Sequence, residues 1–112
     1  MKSNDMTRRA LGLLGLATRA GRVIVGVPLI CAAFTQSKGG KRPLLVLVAN
    51  DASAATQKKI TDKCSFYGVR LITLPTDCEQ LALTVGKRGA AVAAVGVTEE
   101  HLATAIGELY NI

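Results

Sequence analysis

The chain has 112 residues, nearly half of them apolar and only 4% aromatic, with a net charge of +6. That length suits one domain with a core built without metal or disulfide staples, and the aliphatic bias suits buried strands between helices. It excludes recognition of splayed bases across an aromatic sheet, because only Phe34, Phe66, Tyr67 and Tyr110 could stack on a base.

The charge is uneven. Residues 1–43 hold Lys2, Arg8, Arg9, Arg19, Arg22, Lys38, Lys41 and Arg42 against Asp5 alone, whereas the remainder sets six cations against seven carboxylates. Such an asymmetry points to a polyanionic partner, nucleic acid first. Cys31, Cys64 and Cys78 form no CxxC spacing and have only His101 for company, so they read as reduced, buried thiols of a cytoplasmic protein, with no metal site.

Thr7-Arg8-Arg9-Ala10-Leu11-Gly12 has the look of a twin-arginine leader, but its apolar run is short and interrupted by Arg19 and Arg22. Leu11 and Leu14, flanked by Leu13 and Leu16, instead predict an amphipathic first helix capped by Thr7. No stretch reaches membrane-spanning length. Val23 to Val25 predicts a short strand, and Gly26-Val27-Pro28 opens a second helix with its face at Leu29, Ile30, Ala33 and Phe34. Residues 37–43 predict a loop and Leu44 to Ala49 a buried strand. A third helix follows, capped by Asp51 or Ser53, with Thr56, Ile60 and Cys64 aligned and Lys58, Lys59 and Lys63 on its wetter side. Gly68 ends it. Val69 to Leu74 predicts a strand, and Thr76-Asp77-Cys78-Glu79 a capping box opening a short helix that ends near Gly86 to Gly89. Ala91 to Val97 predicts a third buried strand; Thr98-Glu99-Glu100 opens a last helix with its face at Leu102, Ile106 and Leu109. The alternation predicts a single-domain α/β layer protein over residues 1–112, for which the resemblance given below implies a three-layer α/β/α sandwich.

Enzyme templates fail. Ser37-Lys38-Gly39-Gly40-Lys41 is followed by Arg42 and precedes a strand, unlike a Walker loop, and Gly12, Gly15, Gly21 and Gly26 do not make a dinucleotide fingerprint. Asp51 stands where α/β enzymes keep acids, yet a cap explains it, as capping explains Asp77 and Glu79. An anion-binding reading fares better. The second helix's N-terminus offers free N–H groups and half a positive charge at Gly26, Val27, Pro28 and Leu29, while Gly21 allows close backbone approach and Arg19 and Arg22 add charge-assisted contacts. Lys38 and Lys41 supply a second basic loop.

Leu14 to Gly26, Ala49-Asn50-Asp51-Ala52-Ser53, Lys58-Lys59-Ile60 with Cys64 and Tyr67, and Leu81 with Val85-Gly86-Lys87 together resemble the kink-turn-binding ribosomal protein superfamily, nearest its YlxQ-like bacterial branch. The resemblance spans about residues 11 to 109. It implies a mixed four-stranded sheet in an α/β/α sandwich, no enzymatic activity, no cofactor, no small-molecule substrate and no membrane partner. RNA kink-turns are the implied ligand, with ribosomal or other translation-associated proteins as further partners. It places the kinked stem on Gly21-Arg22, Gly26 and the helix opening, with Thr73-Leu74-Pro75 covering an extruded nucleotide. Strong kink-turn binders carry Gly-x-Asn-Glu there and a lysine three residues on; this chain has Gly26-Val27-Pro28-Leu29 and Ala32. The base-reading side chains are thus absent. The alternative is a protein-interaction module on the same fold, using the apolar Val27-Pro28-Leu29 opening, with weak or non-specific RNA binding.

Overall fold

The structure is a computed structural model that describes residues 2–35 and 42–110. Lys38 and Lys41 lie outside the described residues. Among the described residues five helices, α1 (Lys2–Arg19), α2 (Val27–Thr35), α3 (Ala54–Tyr67), α4 (Cys78–Thr84) and α5 (Glu100–Leu109), alternate with four strands, β1 (Val23–Val25), β2 (Leu45–Ala49), β3 (Arg70–Leu74) and β4 (Ala94–Val97). The strands form one mixed sheet in the order β1-β4-β2-β3, with β2 and β3 parallel and β4 antiparallel to both its neighbours.

All five residues of β2 are buried, because it is an inner strand covered on both faces. On one face Leu45, Leu47, Ile72, Leu74, Val95 and Val97 meet Ala10, Leu14 and Ala17 of α1, Leu81 of α4 and Ala103 and Ile106 of α5. On the other, Val46, Val48 and Ala94 meet Val27, Ile30 and Phe34 of α2 and Ile60 and Cys64 of α3. The three-layer α/β/α sandwich expected from the sequence is the fold observed.

Four local expectations need correction. Thr7 does not cap α1; the helix already runs from Lys2, and Thr7 lies inside it, buried. Leu29 does not join the buried face of α2. Val27, Ile30 and Phe34 lie on one side at helical spacing, and Leu29, about 100° round the axis from Ile30, is 61% exposed. Thr76 does not open α4. Asp51 reaches across from the end of β2 to accept the Cys78 N–H at 2.8 Å, and Asp77 becomes the N-cap, accepting the Gln80 N–H at 2.7 Å. Ser53, the other candidate, takes the α3 cap by accepting the Thr56 N–H at 3.1 Å. Finally, β4 begins at Ala94 rather than Ala91.

Helices α1, α3 and α4 end alike. Gly21, Gly68 and Gly86 each adopt a left-handed φ of +69° to +79°, and the next residue's N–H closes the turn: Arg22 onto the Ala17 carbonyl, Val69 onto Cys64 and Lys87 onto Ala82. This double-bonded helix stop admits glycine without a steric penalty.

At α5, both oxygens of Glu99 accept backbone N–H bonds, from Leu102 at 2.8 Å and His101 at 3.0 Å. These bonds hold the carboxyl below the ordinary glutamate range. The folded state therefore binds this proton less readily than the unfolded chain, so the cap's contribution is present above the unfolded value and lost as pH falls through the folded one. Thermal melts between pH 6 and 3 should fall more steeply for the native chain than for Glu99→Gln; parallel curves would remove Glu99 from the acid response.

Candidate functional site

Because β1 and β2 run parallel and β4 runs against them, the C-terminal ends of β1, β2 and β3 share one end of the sheet with the start of β4. At that end, the β1–α2 junction faces the segment entering β4. Between them lies an open cleft of about 410 Å³, walled on one side by Val25, Gly26, Val27 and Pro28 and on the other by Lys87, Ala90, Ala91, Val92 and Ala93, with Thr56 of α3 beside them.

Gly26 makes the first wall. Its φ of +96° lies in the region that favours glycine, its N–H donates to the Ala94 carbonyl at 2.9 Å, and its own carbonyl accepts the Ile30 N–H at 3.0 Å, opening α2. Pro28 has no N–H to give, so the unused donors of this first turn belong to Val27 and Leu29. α2 has no acidic residue in its first turn, which leaves the positive end of its dipole uncompensated. The second wall is small and backbone-rich: Gly86 stops α4, Gly89 turns at φ +81°, and Ala90 and Ala91 are exposed. Lys87 is the cation that lines the cleft. A helix end, a lysine and a low wall together suit a phosphate next to a flat group.

The sequence-predicted positions divide into three groups. Gly26, Val27, Pro28 and Leu29 stand at the cleft, with Val27 turned into the core and Pro28 and Leu29 exposed. Arg19, Gly21 and Arg22 are exposed at the opposite end of the sheet, where the Arg22 carbonyl accepts the Thr98 N–H at 2.9 Å. β1 separates them from Gly26, four extended residues or roughly 13 Å away. Gly21 forms the left-handed stop of α1.

The third group is a correction. Leu74 is not in a loop; it is the last residue of β3 and fully buried. Pro75 is exposed, but β4 and β2 lie between β3 and β1, putting it on the far edge of the sheet, about 14 Å from the α2 opening at ordinary strand spacing. The segment opposite α2 is 87–93, the last part of which the sequence assigns to a strand that in fact begins only at Ala94. Lys87, Ala90 and Ala91 were thus missed, although Gly86-Lys87-Arg88-Gly89-Ala90-Ala91 is a basic, small-residue turn readable from the sequence.

The thiols stay away from this chemistry. Burial pushes Cys64 up to about 11, and burial with the neighbouring Asp51 does the same for Cys78, so both are protonated at neutral pH. No helix among the described residues is long and apolar enough to cross a membrane.

No family model matches the chain. The RNA-binding protein YlxQ of Enterococcus faecium is 40% identical over 80 residues, covering 71% of this chain and 73% of the relative. Its namesake in Bacillus subtilis is 39% identical over 99 residues, covering 88% and 92%. Among solved structures, a protein of unknown function from Bacillus halodurans C superposes with a TM-score of 0.78 at 27% identity, covering 92% of this chain and 97% of that one. The Giardia lamblia 15.5kD RNA binding protein shares the fold, with a TM-score of 0.76 at 14% identity over 96% and 86% of the two chains. The chain therefore belongs to the YlxQ family.

Proposed function

We propose that the chain is a non-enzymatic RNA-binding protein that seats structured RNA in the cleft between the α2 opening and residues 87–93. The observation that carries this reading is the pairing of an uncompensated helix N-terminus with Lys87 across a wall of exposed alanines. Backbone N–H groups and one lysine would take phosphates, and the low wall would admit an extruded base. The YlxQ relatives, named as RNA-binding proteins, support the same class of ligand.

A kink-turn is the RNA shape this cleft suits, in a ribosome-associated setting, because it presents a sharply bent backbone and an unpaired nucleotide. Pro28, Leu29 and Ala32 carry no side-chain donor or acceptor for guanine edges, so recognition rests on shape and backbone. Arg19 and Arg22, away from the cleft, act by longer-range attraction.

The test is a titration with a kink-turn RNA and a copy lacking its tandem G·A pairs, at several salt concentrations. We expect tighter binding to the kinked RNA, affinity falling as salt rises, and a loss of about tenfold or more in Ala91→Asp, where a carboxylate would face the phosphates. Equal affinity for both RNAs would remove the kink-turn preference, and no binding at low salt would remove RNA. Exposure of Leu29 favours a second reading, contact with a translation-associated protein through Val27 to Leu29. That reading would gain from the absence of RNA binding.

A further inference from the structure

Helix α3, which starts beside the cleft, carries a second surface. Thr56, Lys59, Lys63 and Phe66 follow one another at helical spacing along one face of α3, a run of roughly 15 Å. Thr56 lines the cleft, and Lys59, Lys63 and Phe66 line a shallow groove with Asp62 and Tyr67 at the other end of the helix.

Phe66 is 81% exposed, the most exposed of the large apolar residues among those described. It is also held in place. Its ring meets Tyr67 edge to face at 4.9 Å, Tyr67 stacks on the buried Phe34 at 4.8 Å with the planes 9° apart, and the Arg42 guanidinium sits 5.2 Å from the centre of the Tyr67 ring. An aromatic face is thus presented to solvent on a fixed base, at little further entropic cost to a ligand. Its charged surroundings are mainly cationic: Lys59 and Lys63 lie on the same face, Arg42 stands over Tyr67, and the one carboxylate in the groove, Asp62, is already paired with Lys58 at 2.9 Å.

We propose that this ridge binds single-stranded RNA, stacking an unpaired base on Phe66 while the backbone runs past Lys63 and Lys59 toward the cleft. An aromatic face with flanking cations complements a base and its phosphates at once, whereas an apolar protein partner would have to desolvate the lysines. In the path of the backbone toward the cleft the inference rests on the RNA reading above; the ridge itself stands on its own residues.

The probe is a uridine decamer, which has no stem to occupy the cleft, added to the full chain at low salt while the aromatic ring signals are followed by NMR. The Phe66 ring signals should shift with the lysine-face amides of α3. Phe66→Ala should weaken the decamer about tenfold, and Phe66→Trp should restore it. Phe66 is exposed, so its truncation spares the fold, and a kink-turn RNA without a single-stranded tail should bind Phe66→Ala as it binds the native chain. Unshifted Phe66 signals, or equal decamer affinity in Phe66→Ala, would overturn the proposal. So would concentration-dependent self-association lost in that variant, which would make the ridge a contact between copies. Failure of the cleft reading has a different signature: Ala91→Asp would bind structured RNA normally while the decamer still shifted Phe66.

Discussion

Replacing Pro28, Leu29 and Ala32 together by Asn, Glu and Lys is expected to tighten kink-turn RNA by roughly 30-fold or more, since each well-placed side-chain contact to a base edge contributes about 1–3 kcal/mol. All three positions are exposed at the start of α2, so the new side chains replace no core contact. Glutamate in the first turn suits the helix dipole, and Pro28→Asn returns a backbone N–H to the surface that faces the ligand. The measurement is the ratio of affinities for kink-turn RNA and its copy without tandem G·A pairs. That ratio should rise in the triple variant while the melting temperature stays within a few degrees of the native chain. An unchanged ratio in a folded variant would mean that the RNA does not dock on this helix opening.

Leu47→Ala is expected to cost about 3–4 kcal/mol of stability, the range for truncating a fully buried leucine. Leu47 is central in β2, has no exposed surface and stands in register between Ile72 of β3 and Val95 of β4. Both neighbouring strands hold the backbone, so the hole cannot collapse easily. For a chain of this size the loss corresponds to a fall of ~15 °C in melting temperature, readable by calorimetry. Leu29→Ala, on the exposed side of α2, should move it by no more than about 2 °C, the scale of an ordinary surface change. Equal effects from the two substitutions would contradict the assignment of Leu47 to the core and Leu29 to the surface.

The layers of this fold were legible in the chain because each depends on local signals. The unbroken apolar run at Leu45–Ala49 became the inner strand, Gly68 became the left-handed stop of α3, and Glu99 became the cap of α5. Strand order was not legible, since the pairing of β1 with β4 joins residues some seventy positions apart and leaves no local mark. That one fact decides which loops face Gly26. It moves 87–93 opposite the α2 opening and leaves Pro75 at the far edge. The Asp51 bond to the Cys78 N–H was hidden for the same reason, as it links the turn after β2 to the start of α4, 27 residues away. Gly26, Val27, Pro28 and Leu29 could be picked from sequence because a glycine and an early proline mark a helix start wherever the sheet places it.

The central claim, that RNA occupies the cleft between the α2 opening and residues 87–93, is tested most directly by mapping backbone amide shifts during titration with a kink-turn RNA. The account predicts the largest shifts at Gly26, Val27, Leu29, Lys87, Ala90 and Ala91, with smaller ones at Arg19 and Arg22. Shifts centred on Arg19, Gly21 and Arg22, with the cleft amides unmoved, would contradict it.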